Sequence, residues 1–387
     1  MSTQPLKQTA KLVPAFEDQD AVFSAAFETL RDGIRERIFP GASVAVTLDG
    51  RVRARRAFGR FTYADDAPEV TPTTIFDLAS LTKPVATAAM AMILYERGLL
   101  ELDAPVAGTV PEFCSGPEPR REEITFRMLL AHSSGLPAYE KLYLRVKSRD
   151  ELLQAAFATP LTADPGTRAE YSDIGFIVLG VALERIAGEP LDSFCRREVF
   201  GPLAMAGTAF NPPEDIRPQI PPTADERDHV GERLPGTLAK PRSTFRGRIV
   251  QGEVQDENAY VLGGVAGHAG LFSTAEDLAR FAHAILLGGA PIARPETIAL
   301  FRTRQTEPPG TSRALGWDTP SKPSQSGKYF SPASYGHLGY TGTSLWIDLD
   351  RKLSITLLTN RTWPDCSNQA IKQLRPRFHD AVIGALS

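Results

Sequence analysis

Cysteine is scarce in this chain: among 387 residues there are only Cys114, Cys195 and Cys366. They are odd in number, far apart and without C-x-x-C spacing. That excludes a disulfide framework and argues against a structural zinc site, leaving isolated buried thiols as the plain reading. No window of about 18 apolar residues occurs, so no membrane span is expected. No dense basic run occurs either, and the formal net charge is −3, so neither nucleic acid nor an anionic membrane is expected as a partner. The polar start, Met1-Ser2-Thr3-Gln4-Pro5-Leu6-Lys7, lacks the apolar core of a secretory signal, and a cytoplasmic protein is the expectation. What remains is an ordinary globular composition, 42% hydrophobic and 23% charged, long enough for one large or two medium domains.

Hydrophobic patterning places strands at both ends and helices between. An amphipathic helix is expected over 18–38, closed by Pro40-Gly41. Two strand-like runs, 42–48 and 51–58, flank Asp49-Gly50, which is a hairpin signal. Near the other end, 343–348 and 353–359 read as strands around a charged turn, and 370–386 as a closing helix with Pro376 in its first half. Helices are expected over 85–99, 126–130, 148–158 and 174–186. Residues 211–252 show little periodicity and read as a long loop. The expected division is a discontinuous α/β sheet domain, 1–75 with 290–387, and an inserted mainly helical domain, 76–289.

The chemistry is concentrated in three short segments. Ser80-Leu81-Thr82-Lys83 opens a helix, and residues three apart share a helix face. A serine hydroxyl is a weak nucleophile until a neighbouring base takes its proton, and S-x-x-K places an amine there. Glu170-Tyr171-Ser172-Asp173 stands at a helix entrance, where a phenol and a carboxylate can both face a cleft. The plainer alternative is a tyrosine packed on the core beside an Asp N-cap. Gly336-His337-Leu338-Gly339-Tyr340-Thr341-Gly342 precedes a strand, and its glycines let the backbone approach a ligand. Leu129 to Leu136 and Gly263 to Thr274 are further glycine-containing segments. Their histidines, His132 and His268, read as structural groups that satisfy turn backbones. The second segment runs into a helix capped by Ser273 or Thr274.

Ser80-x-x-Lys83, Tyr171-Ser172-Asp173 and His337-x-Gly339, in that order, resemble the penicillin-recognising serine hydrolases. That group includes class C β-lactamases, serine D-alanyl-D-alanine peptidases and family VIII carboxylesterases. The flanking His132-Ser133-Ser134-Gly135, the run Gly267 to Thr274 and Gly342-Thr343-Ser344-Leu345-Trp346-Ile347-Asp348 agree, so the resemblance spans about residues 20–362. It implies an α+β fold: an antiparallel sheet flanked by helices, plus a mainly helical domain, with the site between them. It also implies acyl transfer through Ser80, with oxyanion donors at the N–H groups of Ser80 and Tyr340. Asp173, His337 and Gly339 line the substrate site, and no metal or organic cofactor is implied. Asp173 stands where Asn is common, and His337-Leu338-Gly339 where Lys-Thr-Gly is common.

The base that takes the Ser80 proton is Lys83 or Tyr171. A neutral Lys83 at pH 7 needs a shift of about three units, which Asp173 opposes. The expectation is therefore a cationic Lys83 that lowers the pKa of Tyr171. Three functions follow, acting on a small-molecule ester, peptide or lactam: a carboxylesterase on small or medium acyl esters, favoured by His337; a β-lactamase or D-alanyl-D-alanine carboxypeptidase/transpeptidase; and an inactive peptidoglycan-binding relative.

Overall fold

The computed structural model describes residues 11–116, 118–227 and 244–386. The polar start, Met1 to Lys7, and the centre of the 211–252 loop lie outside the described residues.

The two ends of the chain build one sheet. Its six strands run in the order Val13–Pro14, Arg51–Gly59, Gly41–Leu48, Leu353–Thr359, Ser344–Asp348 and Tyr335–Leu338. All neighbours are antiparallel except the short edge pairing of Val13–Pro14 with Arg51–Val52, which is parallel. The hairpin turns at Asp49 and Gly50, both at positive φ, and its second strand bulges at Arg53, which is skipped where the pairing passes from Val46–Ala54 to Thr47–Val52. The central pairing joins Ala42–Leu48 to Leu353–Thr359.

Both faces of the sheet are covered. Val44, Val46, Ile355, Leu357 and Trp346 share a core with Phe23, Phe27, Leu30, Leu374 and Phe378. These last belong to or flank helices Ser24–Arg35 and Ile371–Ala385, which pack on each other. The alternate residues Ala45, Leu345, Ile347 and Leu358 join a second, larger core, as the two-residue period of a strand requires. Helix Ala275–Leu286 lies on that face, against Gly41–Leu48 and Leu353–Thr359. Its N-cap is Thr274, whose hydroxyl accepts from Asp277 N at 3.1 Å; Ser273 pairs instead with Thr208 at 2.7 Å. We propose the two-part division expected from the patterning with one adjustment: this helix counts with the sheet it covers.

The remaining helices differ from expectation in instructive ways. The first breaks at Phe23 into Gln19–Val22 and Ser24–Arg35. The apolar run after Lys83 begins as wide π-type turns over Lys83–Ala88 and tightens to α only at Ala89–Glu96. Pro84 has no N–H to donate and its ring obstructs the preceding turn, and such wide turns recur at functional sites. Phe126–Leu130, Arg149–Phe157 and Asp173–Ala187 fall where expected. Pro376 is carried inside Ile371–Ala385. Within 211–252, Ala224–Asp225 pairs with Ile249–Val250. Of the three cysteines only Cys195 is buried; Cys114 is intermediate and Cys366 exposed, so the expectation of three buried thiols is corrected. Among the described residues no helix is long and apolar enough to cross a membrane.

Candidate active site

Ser80 is presented by a strained turn. Asp77 ends a two-residue strand, and its carboxylate accepts from Ala79 N at 2.8 Å and from Gln255 N at 2.6 Å. Burial pushes the Asp77 carboxyl up to about 6. Ala79 sits at φ +48°, a region that side chains with a Cβ rarely adopt. Thr82 steadies the turn, donating to Ala79 O at 2.7 Å and accepting from Leu271 N at 3.1 Å. One 3₁₀ turn, Ala79–Leu81, then sets Ser80 and Lys83 on the same side.

Tyr171 and Asp173 enter from the start of helix Asp173–Ala187. The N-cap is Ser172, whose hydroxyl accepts from Gly175 N at 2.9 Å. The alternative in which Asp173 caps the helix is thereby corrected: with Ser172 in that position, the Asp173 carboxylate is free to turn inward. His132 accepts from Ser172 N through Nδ1 at 3.0 Å. Its ring packs between Tyr171 and Phe176, with centroids 4.7 and 4.9 Å away.

Four side chains converge. Lys83 Nζ, fully buried, donates to Asp173 Oδ1 at 2.6 Å, to His268 O at 2.9 Å and to Ser80 Oγ at 3.1 Å. The Tyr171 hydroxyl lies 2.6 Å from Ser80 Oγ and 3.1 Å from Asp173 Oδ1. Behind them, His268 Nε2 pairs with Asp256 at 2.9 Å. Burial pushes the Lys83 ammonium below its ordinary value, and Asp173 pulls it back. The Tyr171 phenol is pushed well above its ordinary value, first by burial and then by the Asp173 carboxylate. The expectation that Lys83 lowers Tyr171 is therefore corrected. The Asp173 carboxylate accepts from both Lys83 and Tyr171, and at the phenol it adds to the effect of burial.

The third segment reaches the same place from the sheet edge. Thr341 Oγ1 donates to Asp77 O at 2.8 Å and Thr343 Oγ1 to Leu78 O at 3.0 Å, fastening the turn to the residues that lead into Ser80. A Cβ on Gly339 would stand 1.9 Å from Thr343 Oγ1 and 2.4 Å from Leu78 O, so only glycine fits. Tyr340 is half exposed, and no acceptor meets its N–H among the described residues. His337 donates through Nδ1 to Leu338 O at 2.8 Å, which leaves its buried Nε2 as an unpartnered acceptor. Burial, Lys83 and Arg313 push this imidazole well below its ordinary range.

Arg313 is a residue the motifs did not announce. Its guanidinium lies 5.5 Å from the Tyr171 ring centroid and 3.6 Å from Asp318. It stands in an aperiodic loop, and no spacing in the sequence marks it. Asp77, Asp256, Arg361 and Arg375 carry no motif either: each meets the site's backbone or another of its side chains. Among the described residues no group of three or more His, Cys, Asp and Glu is gathered to hold a metal ion.

The chain belongs to the beta-lactamase family, whose model matches residues 23–375. It is 33% identical over 347 residues to an N-acetylmuramyl-L-alanine amidase from Bacillus subtilis, covering 84% of this chain and 77% of that protein. It is 31% identical over 348 residues to a putative D-alanyl-D-alanine carboxypeptidase from Escherichia coli, covering 84% and 79%. Among solved structures, EstCE1, a hydrolase with promiscuous acyltransferase activity, superposes with a TM-score of 0.75 at 22% identity, covering 94% of this chain and 99% of that one. The octameric penicillin-binding protein homologue from Pyrococcus abyssi gives 0.68 at 23%, covering 91% and 76%. At these identities the structural neighbours establish the fold, which is the α+β arrangement of β-lactamases and transpeptidases.

Proposed function

We propose that Ser80 attacks a substrate carbonyl, forms an acyl-enzyme and is released by water. The observation that supports this reading is the convergence of Ser80, Lys83, Tyr171 and Asp173. Their hydrogen bonds also give a reading of the base. Lys83, as an ammonium, uses its three protons on Asp173, His268 O and Ser80. Tyr171 has one proton and two oxygen neighbours; the carboxylate is the stronger acceptor. The Ser80 hydroxyl then donates to Tyr171. As Ser80 Oγ bonds to the carbonyl carbon, its proton passes to Tyr171 while the Tyr171 proton passes to Asp173, so no free phenolate is needed. The oxyanion is held by the Ser80 and Tyr340 N–H groups. The relay reverses when the tetrahedral intermediate collapses, returning a proton from Tyr171 to the departing atom. Water repeats the sequence on the acyl-enzyme.

For the substrate, Arg313 supports a carboxylate near the scissile bond, as in a peptide or amide of the kind named for the amidase and carboxypeptidase relatives. It supplies the cation that His337 does not. The second reading is a carboxylesterase on small or medium neutral acyl esters, favoured by the neutral imidazole at His337. Intact mass after exposure to p-nitrophenyl butyrate, a D-alanyl-D-alanine peptide and nitrocefin tests both. An acyl adduct is expected on the wild type and none on Ser80→Ala; an adduct on Ser80→Ala refutes the mechanism. Arg313→Met is expected to raise KM about tenfold or more for carboxylate-bearing substrates, the scale of one charge-assisted bond, and to leave the neutral ester unchanged. Equal effects on both favour the ester reading.

A further inference from the structure

Arg375 lies on helix Ile371–Ala385, against the backbone of the third segment, and is 4% exposed. No carboxylate lies within ion-pairing distance of it among the described residues. Its guanidinium donates instead to three neutral oxygens: Gly339 O at 2.6 Å, Gly342 O at 3.3 Å and Gln325 Oε1 at 3.0 Å. Burying a cation without a counter-ion is unfavourable, and a guanidinium keeps its charge rather than shed a proton. Burial does push it down, to about 9, which still leaves it charged at neutral pH.

The position of that charge is informative. Gly339 C=O and Tyr340 N–H are the two ends of one peptide unit. A cationic donor on the carbonyl draws electron density across the amide and makes the N–H at the other end a stronger donor. That N–H meets no acceptor among the described residues. Arg361 does the same for the next carbonyl, its Nε donating to Tyr340 O at 2.6 Å. We propose that Arg375 is a positioning residue of the oxyanion site: its buried charge polarises the Gly339–Tyr340 peptide, and its fork, spanning Gly339 O and Gly342 O, fixes the direction in which the Tyr340 N–H points. This rests on the acyl-enzyme reading above.

The test reads the acyl carbonyl directly. A ¹³C-carbonyl acyl-enzyme on Ser80 is formed in the wild type, in Arg375→Gln and in Arg375→Lys, and its infrared stretch is recorded by isotope difference. Arg375→Gln keeps a donor and removes the charge. It is expected to raise the stretching frequency and to slow deacylation roughly tenfold, a fraction of what losing a whole oxyanion donor does. Arg375→Lys keeps the charge and loses the fork; a smaller rise in the same direction is expected. A purely structural role lowers thermal stability and leaves the band in place, so an unmoved band in either folded variant overturns the proposal. Should Arg375→Gln fail to fold, the lysine variant decides alone. A wild type that forms no Ser80 adduct with ester, peptide or lactam overturns both the proposal and the reading beneath it; an adduct with an unmoved band overturns only the proposal.

Discussion

Replacing Asp173 by Asn separates the two candidate bases. Asparagine has nearly the same shape but lacks the charge and takes up no proton. In the wild type the carboxylate lies 2.6 Å from a fully buried ammonium, and breaking such a pair costs about 3–5 kcal/mol. The variant can escape by deprotonating Lys83. From an ordinary value near 10.4, holding the amine neutral at pH 7 costs about 4.6 kcal/mol, which sets the ceiling on the destabilisation. The sign follows from the direction of the shift. Burial already lowers Lys83, and losing Asp173 lowers it further. The unfolded state then binds the extra proton, and stability rises with pH by about 1.4 kcal/mol per unit between the lowered value and 10.4. Thermal melts of the variant from pH 6 to 9 are expected to climb more steeply than those of the wild type. Catalysis is the sharper readout. If Asp173 takes the proton relayed through Tyr171, acylation in the variant falls by roughly 10²–10⁴ at pH 7, the usual contribution of a positioned proton acceptor. It then recovers as Lys83, 3.1 Å from Ser80 Oγ, becomes neutral. Single-turnover acylation with a p-nitrophenyl ester measures it. Wild-type acylation at every pH from 6 to 9, with no loss at the acid end and no recovery as Lys83 sheds its proton, would refute the relay.

Two further outcomes follow from the same geometry. Gly339→Ala places a Cβ against Thr343 Oγ1 and Leu78 O; displacing that turn is expected to cost about 1–3 kcal/mol and most of the acylation rate, measured by urea unfolding and burst kinetics, and an unaffected burst would show that the turn is not part of the site. Asp77, raised to about 6 by burial, holds its proton in the folded chain when the unfolded chain has lost it. Stability is therefore expected to fall between about pH 4 and 6 by up to roughly 3 kcal/mol, and the same unfolding series on Asp77→Asn is expected to lose that slope; an unchanged slope assigns it to another group.

Much of this architecture is written in local pattern. The run Leu353–Thr359 falls where expected because a largely apolar stretch is buried at every position, and the helix Phe126–Leu130 because Phe126, Leu129 and Leu130 form one buried face. The pairings Phe76–Asp77, Ala209–Phe210 and Leu271–Ser273 are too short to have a period, and they form only because distant segments align them. Ser80, Lys83 and Tyr171, picked out by spacing and by the family resemblance, come together in the structure, with Lys83 Nζ and the Tyr171 hydroxyl both on Ser80 Oγ. The electrostatics were not legible. Tyr171 is raised first by burial and then by the Asp173 carboxylate, and neither its depth nor the inward turn of Asp173, left free by Ser172 taking the cap, is written in the local pattern. Arg313 and Arg375 carry no motif, since a guanidinium in a loop or on a helix looks the same whether it meets water or a buried carbonyl.

The pairing of Ala42–Leu48 with Leu353–Thr359 has a consequence for the order of synthesis. Ser80, Lys83 and Tyr171 all leave the ribosome well before residue 335, but the turn that carries Tyr340 and the guanidinium behind it are among the later residues made, and the central strand of the first hairpin stays an open edge until then. A nascent chain thus holds Ser80 without the half of the site that the acyl-enzyme reading gives the task of stabilising charge on a substrate. On the acyl-enzyme reading, that half is added only when the late strands close the sheet.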